Sequence, residues 1–336
     1  MKLATYKDGT RDGQLVVVSR DLGSAHYASG IASRLQQVLD DWAFLAPQLQ
    51  DLSAQLNTGR APHSFAFDPA QCMAPLPRAY QWVSGSACPH HLERAHQVRH
   101  GAVTTGLDAA PLLHQGGSDD FLGPCDDIVV PSEAMGVDFA AEVAVITGDV
   151  PRGATPEPAL ASIRLVLLAN AVGLHHLMQA ERDRGCGLFQ SRPATAFSPV
   201  AVTLDELGGA WQQGRLQLAL QTRWNGRKVG LGDVAPAMAL HFGQLIAYAA
   251  RMRRLRAGTV LGSGTISHPG VADAKGRIQW PQGYHSLADK RCMESLQDGQ
   301  PSTPFMAYGD TVRIDMKGQD GHSVFGAIDQ AVAEVA

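Results

Sequence analysis

The run Asp138-Phe-Ala-Ala-Glu142-Val-Ala-Val-Ile-Thr-Gly148 constrains the fold more than any other stretch of this chain. Apolar residues alternate, then run together, and a Gly-Asp turn follows. That is the pattern of a strand buried inside a sheet. It carries one interior carboxylate, Glu142. Further strand-like runs cover residues 128–131, 196–202, 216–224, 259–266 and 310–316, the third of these closing on an Asn225-Gly226 turn. Two helical patterns interrupt them, over residues 156–172 and 237–255. The second is rich in Arg at its C-terminal end and is closed by Gly258, as dipole and capping preferences favour. The predicted class is α+β, mainly β.

The first 20 residues alternate and turn at Asp8-Gly9 and Asp12-Gly13, which predicts a hairpin. Residues 24–59 then carry Ile31, Leu35, Val38, Leu39, Trp42, Leu45, Leu49, Leu52 and Leu56 at helical spacing, with Pro47 expected to break the helix in two. A Pro-rich passage over residues 61–77 follows. A chain of 336 residues is long for one core. We therefore expect a small N-terminal α/β domain over residues 1–72 and a larger domain over residues 73–336.

Charge excludes some functions. The 28 Lys and Arg against 32 Asp and Glu leave a net charge of −4 with no basic run, which argues against a nucleic-acid partner. The first residues lack the apolar region of a signal peptide. The most apolar window, residues 163–174, is too short to span a bilayer and contains Asn170. A cytoplasmic protein without a membrane partner is expected. Cys72, Cys88, Cys125, Cys186 and Cys292 are odd in number, widely spaced and form no Cys-x-x-Cys pair, so free thiols are expected.

Several short motifs carry more specific information. Met73-Ala-Pro-Leu-Pro77 and Ser84-Gly-Ser-Ala-Cys-Pro-His-His91 precede the central strand. After it come Leu168-Ala-Asn-Ala-Val-Gly-Leu-His175, Gln190-Ser-Arg-Pro-Ala-Thr-Ala-Phe-Ser-Pro199, Gly262-Ser-Gly-Thr-Ile-Ser267 and Phe305-Met-Ala-Tyr-Gly-Asp-Thr-Val-Arg-Ile-Asp315. In this order and spacing, over residues 15–330, the chain resembles the fumarylacetoacetate hydrolase (FAH) family. None of the motifs is decisive alone; in register they are specific. The resemblance implies a mixed β-roll/β-sandwich C-terminal domain behind a small α/β domain. It also implies a homodimer, and a site for a small-molecule substrate near the open end of the roll.

Members of that family combine two devices. One is a divalent ion held by four carboxylates, which polarises the oxygens of a β-dicarbonyl or 2-oxo acid. The family's ligand positions fall here on Ser84, Ala140, Glu142 and Ala171, so one carboxylate of four remains. One carboxylate with waters is a poor Mg²⁺ site, and we expect no bound cofactor. The other device is a His–carboxylate dyad, which falls on His91 and Asp289. Thr265 matches a carbonyl-binding Thr and Arg99 a substrate-side Arg. Arg192 replaces a Lys, and His175 stands where the family has an Arg. The resemblance thus implies His91 and Asp289 as catalytic residues, with Arg99, Arg192, Thr265 and His175 binding substrate.

Other readings of the same residues stay open. Asp289 could instead pair with Lys290 or Arg291 on the surface. Glu142 could be a hydrogen-bond acceptor rather than a remnant ligand. Cys88-Pro-His-His91 reads as a turn. His90, His91, His96, His100, His175 and His176 could rebuild a transition-metal site, and weak Mg²⁺ or Mn²⁺ binding is the other metal alternative. The Gly- and Pro-rich stretch 267–284 is a lid or a plain surface excursion. Three functions follow: a repurposed, metal-independent hydrolase or lyase with proton-transfer chemistry, a non-catalytic binding protein, or an ordinary metal-dependent hydrolase.

Overall fold

The computed structural model describes residues 1–101, 110–185 and 187–335; Cys186 lies outside the described residues. The predicted strand 139–147 forms as Ala141–Thr147, every residue of it buried. It lies inside an eleven-stranded sheet between Ile163–Asn170 and Thr259–Gly262. Beyond Thr259–Gly262 come Gln81–Ser84 and then His114–Gly116. On the other side, Ala201–Thr203 joins Ile163–Asn170 to Lys2–Tyr6, Gln14–Val18, Ser24–Tyr27 and Phe65–Ala66. The N-terminal hairpin therefore continues the same sheet.

Both faces of the central strands are covered, which is why their sequences are nearly continuous apolar runs. Alternation sorts the side chains. Ala141, Val143 and Val145 face a core shared with a five-stranded sheet through Val312, Ile314, Met316 and Ile328. Ala144 and Ile146 face a second core completed by Leu35, Val38, Leu39 and Leu49 of the N-terminal helices. The architecture is mixed α/β with somewhat more strand than helix, as the sequence predicts. Among the described residues, no helix is long and apolar enough to cross a membrane.

Several boundaries differ from expectation. The predicted helix 156–172 is a short helix, Pro156–Ala161, followed by the strand Ile163–Asn170. A buried apolar run suits either state, and here pairing with Ala141–Thr147 decides it. The predicted helix 237–255 is only Phe242–Ala249. Arg251, Arg253 and Arg254 beyond it are exposed and bury no apolar face. Residues 24–27 are a strand, and the break between N-terminal helices falls at Asp41 rather than Pro47. Pro47 is accommodated because Ala46, Leu49 and Leu56 anchor that helix on the core. Residues 267–284 contain an exposed two-stranded hairpin, Val271–Ala272 with Ile278–Gln279.

Three helices that hydrophobic periodicity did not predict surround the open end of the sheet: Pro89–His100, His175–Arg184 and Leu287–Asp298. Their sequences are mostly polar, so they present no apolar stripe. Cys88-Pro89 is thus a helix N-terminus and not a free turn, with Pro at the position where its missing N–H costs nothing.

Candidate active site

A cavity of about 440 Å³ opens between these three helices and the ends of the central strands. Ser84, Glu142 and Thr265 lie in its floor. Ser84 is set by the parallel pairing of Gln81–Ser84 with Thr259–Gly262, where Ser84 stands opposite Gly262. Glu142 lies beside them because Ala141–Thr147 pairs with the other edge of Thr259–Gly262. Position 262 must be glycine: a Cβ there would sit 2.3 Å from Glu142 Oε2.

Glu142 is buried, and both of its oxygens are engaged. The Ser84 hydroxyl donates to Oε1 at 2.8 Å and the Gly264 N–H to Oε2 at 3.0 Å. Burial pushes its carboxyl up to about 7, against the opposing pull of Ser84, Arg192 and Gly264. Ala140 and Ala171, two other positions expected from the resemblance to correspond to ligands, line the same cavity with side chains that cannot coordinate. A hard divalent ion needs several oxygens, and this floor offers one carboxylate already used twice. The residues present do not fit a four-carboxylate metal site. Among the described residues, no group of three or more His, Cys, Asp or Glu is placed to hold a metal. The histidines have other engagements: His176 Nδ1 lies 2.7 Å from the Ala134 carbonyl and His90 pairs with Glu93 at 3.1 Å.

His91 stands in the first turn of Pro89–His100, its backbone N–H donating to Ser267 Oγ at 2.9 Å. Its Nδ1 lies 3.5 Å from Asp289 Oδ1. Asp289 is fully buried in the first turn of Leu287–Asp298, capped by Ser286. Its stronger partner is Arg94, one turn beyond His91. Nε reaches Oδ1 at 2.8 Å and Nη2 reaches Oδ2 at 2.7 Å. Burial opposes the ionisation of Asp289, but the His91 hydrogen bond and the Arg94 charge outweigh it and hold the carboxyl below its ordinary range. The surface pairing considered for Asp289 does not form: Lys290 pairs with Glu294, and Arg291 donates to the Thr303 carbonyl.

His175 occupies another wall. Its Nε2 lies 3.0 Å from Asp138 Oδ2, and its ring stacks on Phe305 at 5.1 Å and 6°. Asp138 also accepts from the backbone N–H groups of Leu287 and Ala288, at 2.6 and 2.8 Å. One helix N-terminus thereby organises both carboxylates, Asp138 from outside and Asp289 from within.

The cavity is cationic. Arg99, Arg182, Arg192 and Arg291 all line it. Arg99 is exposed at the last turn of its helix and forms the rim. Arg192 is positioned by Glu181, which accepts from the N–H groups of Phe189, Gln190 and Ser191 in the loop before it. Among the described residues its buried Nε has no partner, a donor left for something else. Burial, with Arg192 and Arg182 nearby, pushes His114 down to about 4. Thus the cavity gathers His91, Arg99, His175, Arg192 and Thr265 around the floor residues, with Asp289 just behind His91. Sequence reading missed Arg94, Asp138, His114, Arg182 and Phe305. The i, i+3 spacing from His91 to Arg94 becomes a signal only once a helix is placed there.

Known proteins resemble the chain along its length. Residues 1–78 match the family described as fumarylacetoacetase N-terminal domain 2, and residues 81–333 match fumarylacetoacetate (FAA) hydrolase C-terminal. The 2,4-didehydro-3-deoxy-L-rhamnonate hydrolase of Sphingomonas sp. (strain SKA58) is 26% identical over 172 residues, covering 50% of this chain and 56% of that protein. Among solved structures, fumarylacetoacetate hydrolase (EaFAH) from psychrophilic Exiguobacterium antarcticum superposes with a TM-score of 0.64 at 20% identity, covering 100% of both chains. Maleylpyruvate hydrolase from Sphingobium sp. SYK-6, solved with manganese(II) and pyruvate, gives 0.64 at 16% identity, again over 100% of both chains.

Proposed function

We infer the reaction from one premise: the chain belongs to the fumarylacetoacetate hydrolase family. We propose that this family enzyme hydrolyses a carbon–carbon bond of a β-dicarbonyl or 2-oxo acid without Mg²⁺ or Mn²⁺. One observation carries the reading. His91, backed by buried Asp289, faces a cavity whose other three ligand positions hold Ser84, Ala140 and Ala171. Acid–base machinery remains where the electrophilic metal is not provided for.

The chain's own residues supply substitutes. Arg192, whose buried Nε is unpaired among the described residues, and Thr265 are donors fixed before substrate arrives, as stabilisation of developing oxyanion charge requires. Arg99 at the rim meets a substrate carboxylate. His91 takes a proton from water as its oxygen adds to the carbonyl carbon. The name of one relative, 2,4-didehydro-3-deoxy-L-rhamnonate hydrolase, supports a hydrolytic reaction class.

The test is hydrolysis of 2,4-dioxopentanoate, a small 2-oxo acid with a β-dicarbonyl, in EDTA and in Mn²⁺. The expected result is equal activity in both, lost in His91→Ala. Activity that appears only with Mn²⁺ overturns metal independence. Activity unchanged in His91→Ala overturns the assignment of the base.

A further inference from the structure

We propose that His175 is a second catalytic acid–base residue, held by Asp138, so that the cavity works with two histidines on different walls. The inference rests on the hydrolytic reading above and assigns the proton delivery that reading leaves open. His175 is an imidazole, which can give up and regain a proton as a guanidinium cannot.

The geometry is that of an oriented imidazole. Nε2 points at Asp138 Oδ2 at 3.0 Å, closer than His91 lies to Asp289. Asp138 is almost entirely buried, and the Leu287 and Ala288 N–H groups hold it in place. Parallel stacking on Phe305 fixes the ring plane, and the Arg291 guanidinium covers Phe305 at 4.5 Å. Asp138 thus decides which ring nitrogen keeps its hydrogen and balances the charge when the other takes one. That other nitrogen, Nδ1, has no hydrogen-bond partner among the described residues and is not among the buried unpaired atoms. It is free to meet a substrate in the cavity that His175 lines.

Hydrolysis of a β-dicarbonyl needs a proton taken and a proton given. Water's oxygen bonds to the carbonyl carbon while its proton passes to His91. The carbon–carbon bond then breaks, and its electron pair passes to the departing fragment as an enolate. His175, doubly protonated, delivers its Nδ1 proton to that enolate and regains one from solvent, while His91 returns its proton to solvent. The products are a carboxylic acid, which releases its proton to solvent as it ionises, and a 2-oxo acid, and only water is consumed.

The experiment uses the full chain and 2,4-dioxopentanoate, with kcat and KM followed by loss of enol absorbance and folding checked by circular dichroism. His175→Gln keeps a donor toward Asp138 but cannot pass a proton. It should lower kcat roughly 100-fold with KM little changed. His175→Ala should fall similarly and recover about tenfold or more with added imidazole, which fits the space the side chain leaves. A rise in KM with kcat intact, or a fall in kcat that imidazole does not rescue, overturns a catalytic role for His175. No wild-type hydrolysis with or without Mn²⁺ overturns the hydrolytic reading, and this inference falls with it.

Discussion

Arg94 and Asp289 meet as a buried fork, with Nε on Oδ1 at 2.8 Å and Nη2 on Oδ2 at 2.7 Å. A further Arg94 nitrogen, Nη1, donates to the His268 carbonyl at 2.8 Å. His91 reaches the same carboxylate at 3.5 Å. Asp289 therefore has a standing counter-ion and needs none from the histidine. It orients His91 while Arg94 balances its charge. In the proposed reaction, a proton taken by His91 would enter a site that is already neutral behind it.

That division predicts asymmetric mutations. Arg94→Met should destabilise the protein by about 3–5 kcal/mol, because a fully buried carboxylate loses its counter-ion. The double variant Arg94→Met with Asp289→Leu should recover part of the loss, since neither charge is left stranded. Urea denaturation of the four proteins of the cycle measures both. Strict additivity would show that the fork contributes nothing as a pair.

Metal titration gives the second prediction. Wild type should show no one-to-one saturation with micromolar Mg²⁺ or Mn²⁺ by calorimetry and no thermal shift, since tight binding to the native state must raise stability. The triple variant Ser84→Asp, Ala140→Glu and Ala171→Asp gathers four acids around the cavity floor. Its metal-free form should be less stable through like-charge repulsion, and Mg²⁺ or Mn²⁺ should restore it. A triple variant blind to both ions would show that these positions do not converge on one ion.

Glu142 makes stability depend on pH. Its folded value, raised from 4.5 to about 7, lies above its unfolded one. Its contribution is thus fully present below about pH 4.5 and lost as pH rises through 7. At about 1.4 kcal/mol per pH unit, the rise from 4.5 to about 7 amounts to about 3 kcal/mol. Glu142→Gln should remove that loss. The amide can accept from Gly264 N–H through its oxygen and donate to Ser84 Oγ through its nitrogen. Chemical denaturation at pH 5 and pH 8 should show the variant gaining on wild type only at the higher pH. His285 has the opposite sign. Burial lowers it to about 3, so its contribution is present above pH 6.5 and lost as pH falls toward 3.

What could be read beforehand was the part of the fold that hydrophobic pattern and motif order encode. The strand around Glu142 and the N-terminal hairpin carry their own periodicity. Ile163–Asn170 did not, because an apolar run buried on both faces is the same sequence whether strand or helix; only its pairing with Ala141–Thr147 distinguishes them. The candidate site was legible as residues that gather at one cavity, but not as a network. Pro89–His100 and Leu287–Asp298 are polar helices with little apolar stripe, so Arg94 could not be seen one turn from His91 and facing Asp289. Asp138 looked like the polar start of a strand. Its engagement with Leu287, Ala288 and His175 joins positions as far as 150 residues apart, which local pattern does not report.

Asp138 supports the last prediction. Its two oxygens serve three donors: Oδ1 accepts from Leu287 N–H, and Oδ2 from Ala288 N–H and the His175 ring. The backbone donors are the otherwise unpaired N–H groups of a helix start, where negative charge is favoured. Asp138→Asn removes the charge and turns one acceptor into a donor. Whichever way the amide is oriented, its NH₂ faces a donor. If it faces Oδ1's partner, the Leu287 N–H is left buried and unsatisfied. If it faces Oδ2's partners, Ala288 loses its acceptor and His175 must present a lone pair in place of its N–H. A buried unsatisfied N–H costs about 1–3 kcal/mol, so the variant should lose that much stability by urea denaturation. In the second orientation the His175 tautomer flips, which ¹⁵N chemical shifts of the imidazole nitrogens would show directly. Wild-type stability together with an unchanged His175 tautomer in Asp138→Asn would mean that this carboxylate neither caps the helix nor holds the ring.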